Sequence, residues 1–189
     1  MSPSPGRPRR ASKALLQEAA FELFQLRGYR ATTVELIART AGFSRATFFT
    51  LFSSKAELFW VETDALIDAL RASLARETAS GRPRPLRDAI LHHAGSVTTA
   101  DIPWALQYIG LLGADDDLIA SGASRVRRLS GLLQAYEEDR DPGADPTVRA
   151  ARAAAVTGAL LVGVRAWIAE GVERGALRER LADCLPVGV

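Results

Sequence analysis

The chain is predicted to be all-α: an N-terminal three-helix helix-turn-helix domain, then a larger helical body, about nine helices in all. Three observations predict this. First, counting twenty positions from Val34, Ile37 and Ala38 fall fourth and fifth, Gly42 ninth, Phe48 fifteenth and Leu51 eighteenth. Two helices crossing at about 90–120° need a small residue at the crossing, and Ala38 supplies it. The turn wants a residue that takes positive φ without strain, and Gly42 does. Second, apolar residues recur at helical spacing along most of the chain, and β-branched alternation is absent. Third, charge is segregated. Residues 1–55 carry nine Lys plus Arg against three Asp plus Glu, a net +6; the remainder carries −4, within a net charge of +2. A basic first segment on an acidic body is the footprint of a nucleic-acid binder whose second part binds something else.

The elements follow in order. Residues 1–10 are Pro- and Arg-rich without core residues and read as a disordered basic arm. Its Arg7, Arg9 and Arg10 are candidates for minor-groove or phosphate contacts, or a tail adding only non-specific attraction. A helix is expected from Ser12, as N-cap, to Arg27, with Leu15/Leu16, Ala19/Ala20 and Leu23/Phe24 as its stripe. Gly28 ends it. Thr32 and Thr33 cap the next helix, and a threonine there can also contact phosphate. Ser44 stands where the N-cap of a third helix belongs, so Arg45 to Phe52 is the candidate for a DNA major groove.

The stretch from Leu15 to Lys55, LLQEAAFELFQLRGYRATTVELIARTAGFSRATFFTLFSSK, closely resembles the DNA-binding domain of TetR-family transcriptional regulators. The resemblance rests on Ala19-Ala20, Leu23-Phe24, Gly28-Tyr29, Thr32-Thr33, Ile37-Ala38, Ala41-Gly42, Ser44, Thr47, Phe52 and Ser54-Lys55. It covers roughly the first third of the chain; beyond it, length and helical character are similar. It implies an operator-binding homodimer, a small-molecule effector held between body helices, and a dimer interface from the last two long helices. Two positions depart from the family. Phe49 stands where Tyr usually offers a hydroxyl to a DNA phosphate, and Ser53 replaces the usual Pro.

Past the head, a single long helix is expected from Ser54-Lys55 to Ala79, capped by Ser53 or Ser54, with Leu58, Leu66, Leu70 and Leu74 as its stripe. A cation, Lys55, is out of place in a first turn, and a DNA phosphate there would account for it. The stretch from Ser80 to Pro85 breaks the helix. Further helices are expected at Leu86 to Thr98, at Asp101/Pro103 to Gly113, and after Asp115-Asp116-Asp117 to Glu138, the last striped by Val126, Leu129, Leu133 and Tyr136. Three successive carboxylates suit a helix N-terminus and need no metal. After the loop 139–145, Asp145 caps and Pro146 opens a helix to Gly171. Ala151, Ala155, Gly158 and Val162 line one of its sides, Val156, Leu160, Val164 and Trp167 another, and a helix apolar on two sides must bury both. A short helix fits Leu177 to Leu185.

Catalytic chemistry is not expected. No Gly-rich phosphate loop, Cys pair or His-Glu metal pattern is present, and His92-His93, about 100° apart on a helix, cannot chelate together. No cofactor or metal is called for. No apolar run reaches roughly 18 residues, no signal-like apolar region opens the chain, and Cys184 has no partner, so a cytoplasmic protein without a membrane partner is expected. The domains are 1–10, 11–54 and 55–189. Arg45, Thr47 and Thr50 are expected to face the groove floor, with Ala46 and Phe49 on the same helix, and Thr33, Ser44 and Lys55 to contact phosphates, with Arg9 and Arg10 from the arm. Leu66, His92, Trp104, Tyr108, Leu129 and Trp167 are the candidate lining of an effector cavity; Ala151, Ala155, Gly158 and Val162 are the candidate dimer face. The function so implied is a repressor released from a palindromic operator by a small apolar ligand. The alternatives are a helix-turn-helix protein that contacts RNA polymerase or another protein, and an activator sensing a fatty or acyl-coenzyme A compound.

Overall fold

The computed structural model describes residues 9–98, 116–171 and 174–188. Every regular element among them is helical: α1 Arg9–Arg27, α2 Val34–Thr40, α3 Arg45–Leu51, a 3₁₀ helix Lys55–Trp60, α4 Val61–Ala79, α5 Leu86–Ala94, α6 Asp116–Arg140, α7 Pro146–Ala169 and α8 Leu177–Cys184. The expected helix between Asp101 and Gly113, with Trp104, Tyr108, Asp115 and Arg7, lies outside the described residues. The described chain divides into a head, 9–61 with 116–121, and a body made of the rest.

The head is α1, α2, α3 and the 3₁₀ helix around one core. Leu16, Ala20, Phe24, Ile37, Ala38 and Phe48 are its innermost residues, each 1% exposed or less. Gly28, at φ +80°, closes α1 as expected, donating to the Phe24 carbonyl at 2.8 Å. Helix α1 begins earlier than expected. The helix-favouring run Arg9-Arg10-Ala11 carries it outward, so Arg9 and Arg10 lie in the helix backbone and not in an arm, and Ser12 is buried within it instead of capping it.

The expected long fourth helix is two elements. Lys55–Trp60 winds as a 3₁₀ helix whose N-cap, Ser54, makes no side-chain cap bond. Three residues per turn place Ala56 and Phe59 in line, and both are buried in the head with Leu58. Phe59 meets Phe21, Phe24 and Tyr29 at ring-centroid distances of 5.5, 5.3 and 5.6 Å. Gln17 Nε2 donates to the Leu58 carbonyl at 2.9 Å. The head therefore extends to Val61, seven residues past the boundary expected at 54.

In the body, Leu74, Leu86, Ile90, Leu133, Val156 and Leu181 centre the core, each 2% exposed or less. α4 ends in a turn with Gly81 at φ +75°. α5 stops at Ala94, short of the expected Thr98, because Gly95 and Ser96 turn back: Gly95 N–H donates to Leu91, and Ser96 donates from both N–H and hydroxyl to His93. α6 runs two residues past Glu138. Along its stripe Leu133 and Tyr136 are buried and Leu129 is half-buried, while Val126 is 37% exposed. Asp145 caps α7 as expected, accepting the Thr147 and Val148 N–H groups; these bonds hold its carboxyl below the usual range. α7 and α8 each end one or two residues earlier than expected. Gly163 lets α8 approach α7: a Cβ there would stand 2.7 Å from Leu181 Cδ2.

Charges are tied down inside the body. Glu137 is fully buried and accepts from Arg140 Nε and Nη2 at 2.8 and 3.0 Å, with Arg152 Nη1 at 3.5 Å. Arg149, 8% exposed, donates to the carbonyls of Asp141, Pro142 and Ala144. α7 is long and apolar enough by composition to cross a membrane, with a mean hydropathy of 1.3, yet its Arg149 and Arg152 are bonded within the body.

At Gly42 the backbone carries the cost of a side chain by itself. A Cβ there meets nothing within 4 Å, while φ is +76°. Gly42→Ala is therefore expected to destabilise the protein by about 1–2 kcal/mol through backbone strain, read as a lower denaturation midpoint with an unchanged denaturant slope.

Candidate functional site

The turn between α2 and α3 places the candidate site. Phe43 N–H donates to the Ala38 carbonyl at 2.8 Å and Gly42 N–H to Arg39 at 3.1 Å. This pair of backbone bonds across a left-handed glycine closes α2 and aims the chain into α3. Each helix then starts on a side-chain cap. Thr33 Oγ1 accepts from Leu36 N–H at 3.2 Å, and Ser44 Oγ from Thr47 N–H at 3.0 Å. Thr32 does not cap. It is 1% exposed, and its hydroxyl donates back to the Gly28 carbonyl at 2.8 Å.

Helix α3 has two unlike sides. Phe48 is fully buried and Phe52 nearly so, whereas Arg45, Ala46, Phe49 and Thr50 are exposed together. Positions i, i+1, i+4 and i+5 share one side of a helix, so these four form a continuous outward face. Thr47, expected on the groove floor, is half-buried at its flank. Its hydroxyl pairs with Ser44 Oγ at 2.9 Å, and its carbonyl accepts from the Thr50 hydroxyl at 2.7 Å.

Arg45 is exposed but not loose. Its Nε lies 2.5 Å from Glu35 Oε1, and its guanidinium stands 5.0 Å from the Phe49 ring centroid. Phe49, 44% exposed, meets Phe48 nearly edge-on at 5.4 Å. The aromatic ring that lacks a hydroxyl thus serves as a platform for the arginine beside it. Glu35 was not singled out in the sequence. Its signal was a carboxylate in the first turn of the helix preceding α3.

Lys55 departs from expectation. Its Nζ donates to the carbonyls of Tyr29 at 2.5 Å and Thr32 at 2.9 Å, and lies 3.9 Å from the Tyr29 ring centroid. A cation in this first turn is thus accounted for inside the protein, by the carbonyls of the turn that follows α1. The side chains of Arg9 and Arg10 lie outside the described residues.

Of the candidate effector lining, Trp167 is core: it is 3% exposed, and its indole N–H donates to the Gly175 carbonyl at 2.7 Å. Leu129 is half-buried against the same core, Leu66 is half-buried, and His92 is exposed on a polar concavity that contains neither. Of the four described candidates only His92 lines that concavity; Trp104 and Tyr108 lie outside the described residues. On α7, by contrast, Ala151, Ala155, Gly158 and Val162 are all exposed, with Leu161 beside them, while Val156, Leu160 and Trp167 are buried. The two sides separate as their spacing predicts.

Residues 16–60 match the family described as bacterial regulatory proteins, tetR family. The chain is 45% identical over 47 residues to an uncharacterised HTH-type transcriptional regulator, YhgD, of Bacillus subtilis, covering 25% of each. It is 32% identical over 129 residues to the HTH-type transcriptional regulator TcmR of Streptomyces glaucescens, covering 68% of this chain and 53% of TcmR. The chain thus spans from a quarter to about half the length of these relatives. Among solved structures, its fold is similar to that of Thermus thermophilus FadR, a TetR-family repressor seen in complex with lauroyl-CoA, at a TM-score of 0.61 and 24% identity over 90% of each chain. It is also similar to NalD of Pseudomonas aeruginosa, the secondary repressor of the MexAB-OprM multidrug efflux pump, at a TM-score of 0.58 and 22% identity over 94% of each chain.

The ammonium of Lys55 bonds two carbonyls of one turn, 26 and 23 residues upstream. Lys55→Ala removes a charge-assisted donor from both carbonyls, so a loss of about 1.5–3 kcal/mol in stability is expected without any DNA present. Chemical denaturation followed by intrinsic fluorescence measures it; an unchanged midpoint contradicts the clamp.

Proposed function

We propose that the chain, whose residues 16–60 match the tetR family of bacterial regulatory proteins, is a transcriptional repressor of that family. It binds a near-palindromic operator as a homodimer and leaves it when a small molecule binds the body. The observation that carries this reading is the outward face of α3. Arg45, Ala46, Phe49 and Thr50 stand exposed on a short helix whose other side is anchored by a fully buried Phe48. A helix so anchored can enter a major groove without unfolding anything, and residues 1–55, with a net charge of +6, favour approach to phosphates.

Arg45 is the residue assigned to base reading. Arginine forks onto the O6 and N7 of guanine. To do so it exchanges Glu35 for the base while the Phe49 ring keeps its plane. Thr33 and Ser44 belong to phosphate positioning, since both caps lie at helix N-termini. Lys55 acts one step back, holding the turn that carries Thr33.

Dimerisation is assigned to the α7 face of Ala151, Ala155, Gly158, Leu161 and Val162. Small residues on one side of an apolar helix allow close helix packing, and these are exposed in the single chain. A twofold dimer presents two copies of α3, reading half-sites about 34–36 Å or a multiple apart. Effector binding lowers operator affinity only as far as the effector prefers the DNA-incompetent form.

Two substitutions test this reading. Arg45→Ala is expected to lose about 1–3 kcal/mol of discrimination at one base pair of each half-site, measured by competition among single-base operator variants; equal weakening of every variant would make Arg45 a phosphate contact. Gly158→Arg places a charge where a Cβ meets nothing within 4 Å, so the single chain should fold. It is expected to sediment as a monomer and to bind operator about 10²–10⁴-fold more weakly. A dimer with normal operator affinity would place the interface elsewhere.

A further inference from the structure

Where α4 turns into α5, the body carries a basic concavity of about 310 Å³, at the small end of the roughly 300–1,000 Å³ common for small-molecule sites. Ser73, Arg76, Glu77, Ser80, Arg82, Arg84 and His92 line it. Three arginines and one glutamate leave it a net +2, although the chain beyond residue 55 carries −4.

The rim is held in shape by its own bonds. Ser80 Oγ donates to the Glu77 carbonyl at 2.6 Å and accepts from Arg82 N–H at 3.4 Å, across Gly81 in the left-handed region. Glu77 Oε1 pairs with Arg84 Nη1. The Tyr136 hydroxyl donates to the Arg84 carbonyl at 2.9 Å, pinning the far side of the loop. Burial, then the Glu77 charge, pushes the Tyr136 hydroxyl up to about 12, so it stays a donor at any physiological pH. Glu77 thus occupies one arginine, while Arg76 and Arg82 have no side-chain partner among the described residues. The imidazole behind them, His93, titrates below its ordinary value, through burial first and then the charges of Arg76 and His92.

We propose that this concavity is a binding site for a phosphoryl group, the anionic end of a small molecule, with Arg76 and Arg82 as its principal contacts and the Ser73 hydroxyl beside them. Against the two oxygens and charge of −1 of a carboxylate, a phosphoryl group brings three oxygens and a charge near −2. That charge matches the net +2 of the lining. The site belongs to the body alone and does not rest on DNA binding by the head.

The test titrates the full-length chain with inorganic pyrophosphate by calorimetry, with citrate at matched ionic strength as the carboxylate arm. Saturable pyrophosphate binding is expected, at least tenfold weaker in an Arg76→Ala/Arg82→Ala variant and unchanged in Arg45→Ala, which removes a head arginine instead. Both body arginines are exposed, so the double variant should keep its thermal midpoint. Substituting only Arg82→Lys should recover part of the affinity, since charge returns without the fork. No saturation up to about 10 mM, tenfold above a Kd of ~1 mM, overturns the site. So does equal affinity in the double variant. Citrate binding as well as pyrophosphate overturns the phosphoryl assignment.

Discussion

The chain reverses at Gly42 through a left-handed residue flanked by two backbone bonds, from Phe43 to Ala38 and from Gly42 to Arg39. Everything that the head presents depends on that constraint. Ala38, at 1% exposure, leaves room for the crossing. Ser44 then sits in extended backbone, where its hydroxyl can cap α3. With its start fixed, α3 has no freedom to rotate: Phe48 enters the core and Arg45, Ala46, Phe49 and Thr50 remain outside. The aromatic cluster around Phe59 and the Lys55 clamp secure this unit from the opposite end of the sequence segment. A small domain of mostly short helices gains little from helix propensity, and the head is accordingly held by its packed core, with turns, caps and one ammonium group fixing its geometry.

The body solves another problem, that of arranging arginines within an acidic, helical frame. Asp64 receives Arg125 through Nε and Nη2 at 3.1 and 2.8 Å and Arg128 at 3.0 Å, and Arg128 also reaches Asp68 at 2.7 Å. α4 and α6 are therefore joined by charge as well as by apolar contact. Paired arginines of this kind are structural. Those at the α4–α5 turn differ because only one of three has its carboxylate.

Much of this architecture was legible in the residues. The spacing from Val34 to Leu51, the caps Thr33, Ser44 and Asp145, the glycines at 28 and 42, and the two sides of α7 all express local rules, and each is met in place. Length boundaries were less legible. Nothing local in Lys55 to Trp60 distinguishes a 3₁₀ turn from the start of an α-helix; the choice follows from burying Ala56, Leu58 and Phe59 in a core built thirty residues upstream. The role of Lys55 was hidden for the same reason. Its misfit at a helix N-terminus was visible, but the carbonyls that resolve it, at Tyr29 and Thr32, come from a turn whose position is tertiary information. Likewise Arg45 could be read as exposed, whereas its partner Glu35 becomes adjacent only after the chain has turned. Trp167, a candidate for the effector lining, is buried in the core: a large aromatic residue is as useful to packing as to binding, and spacing does not separate the two.

The buried Glu137 has a consequence for how this sequence can change. Its carboxylate has no water to fall back on, and Arg140 and Arg152 converge on it. Losing one member of such a group strands a charge in the interior, at a cost of about 3–5 kcal/mol, whereas exchanging the whole group for apolar residues of similar volume is often neutral. Single steps away from this trio descend into a valley that a marginally stable domain can scarcely cross. Lineages that leave it must change positions 137, 140 and 152 nearly together, so the three should drift through evolutionary time as one character.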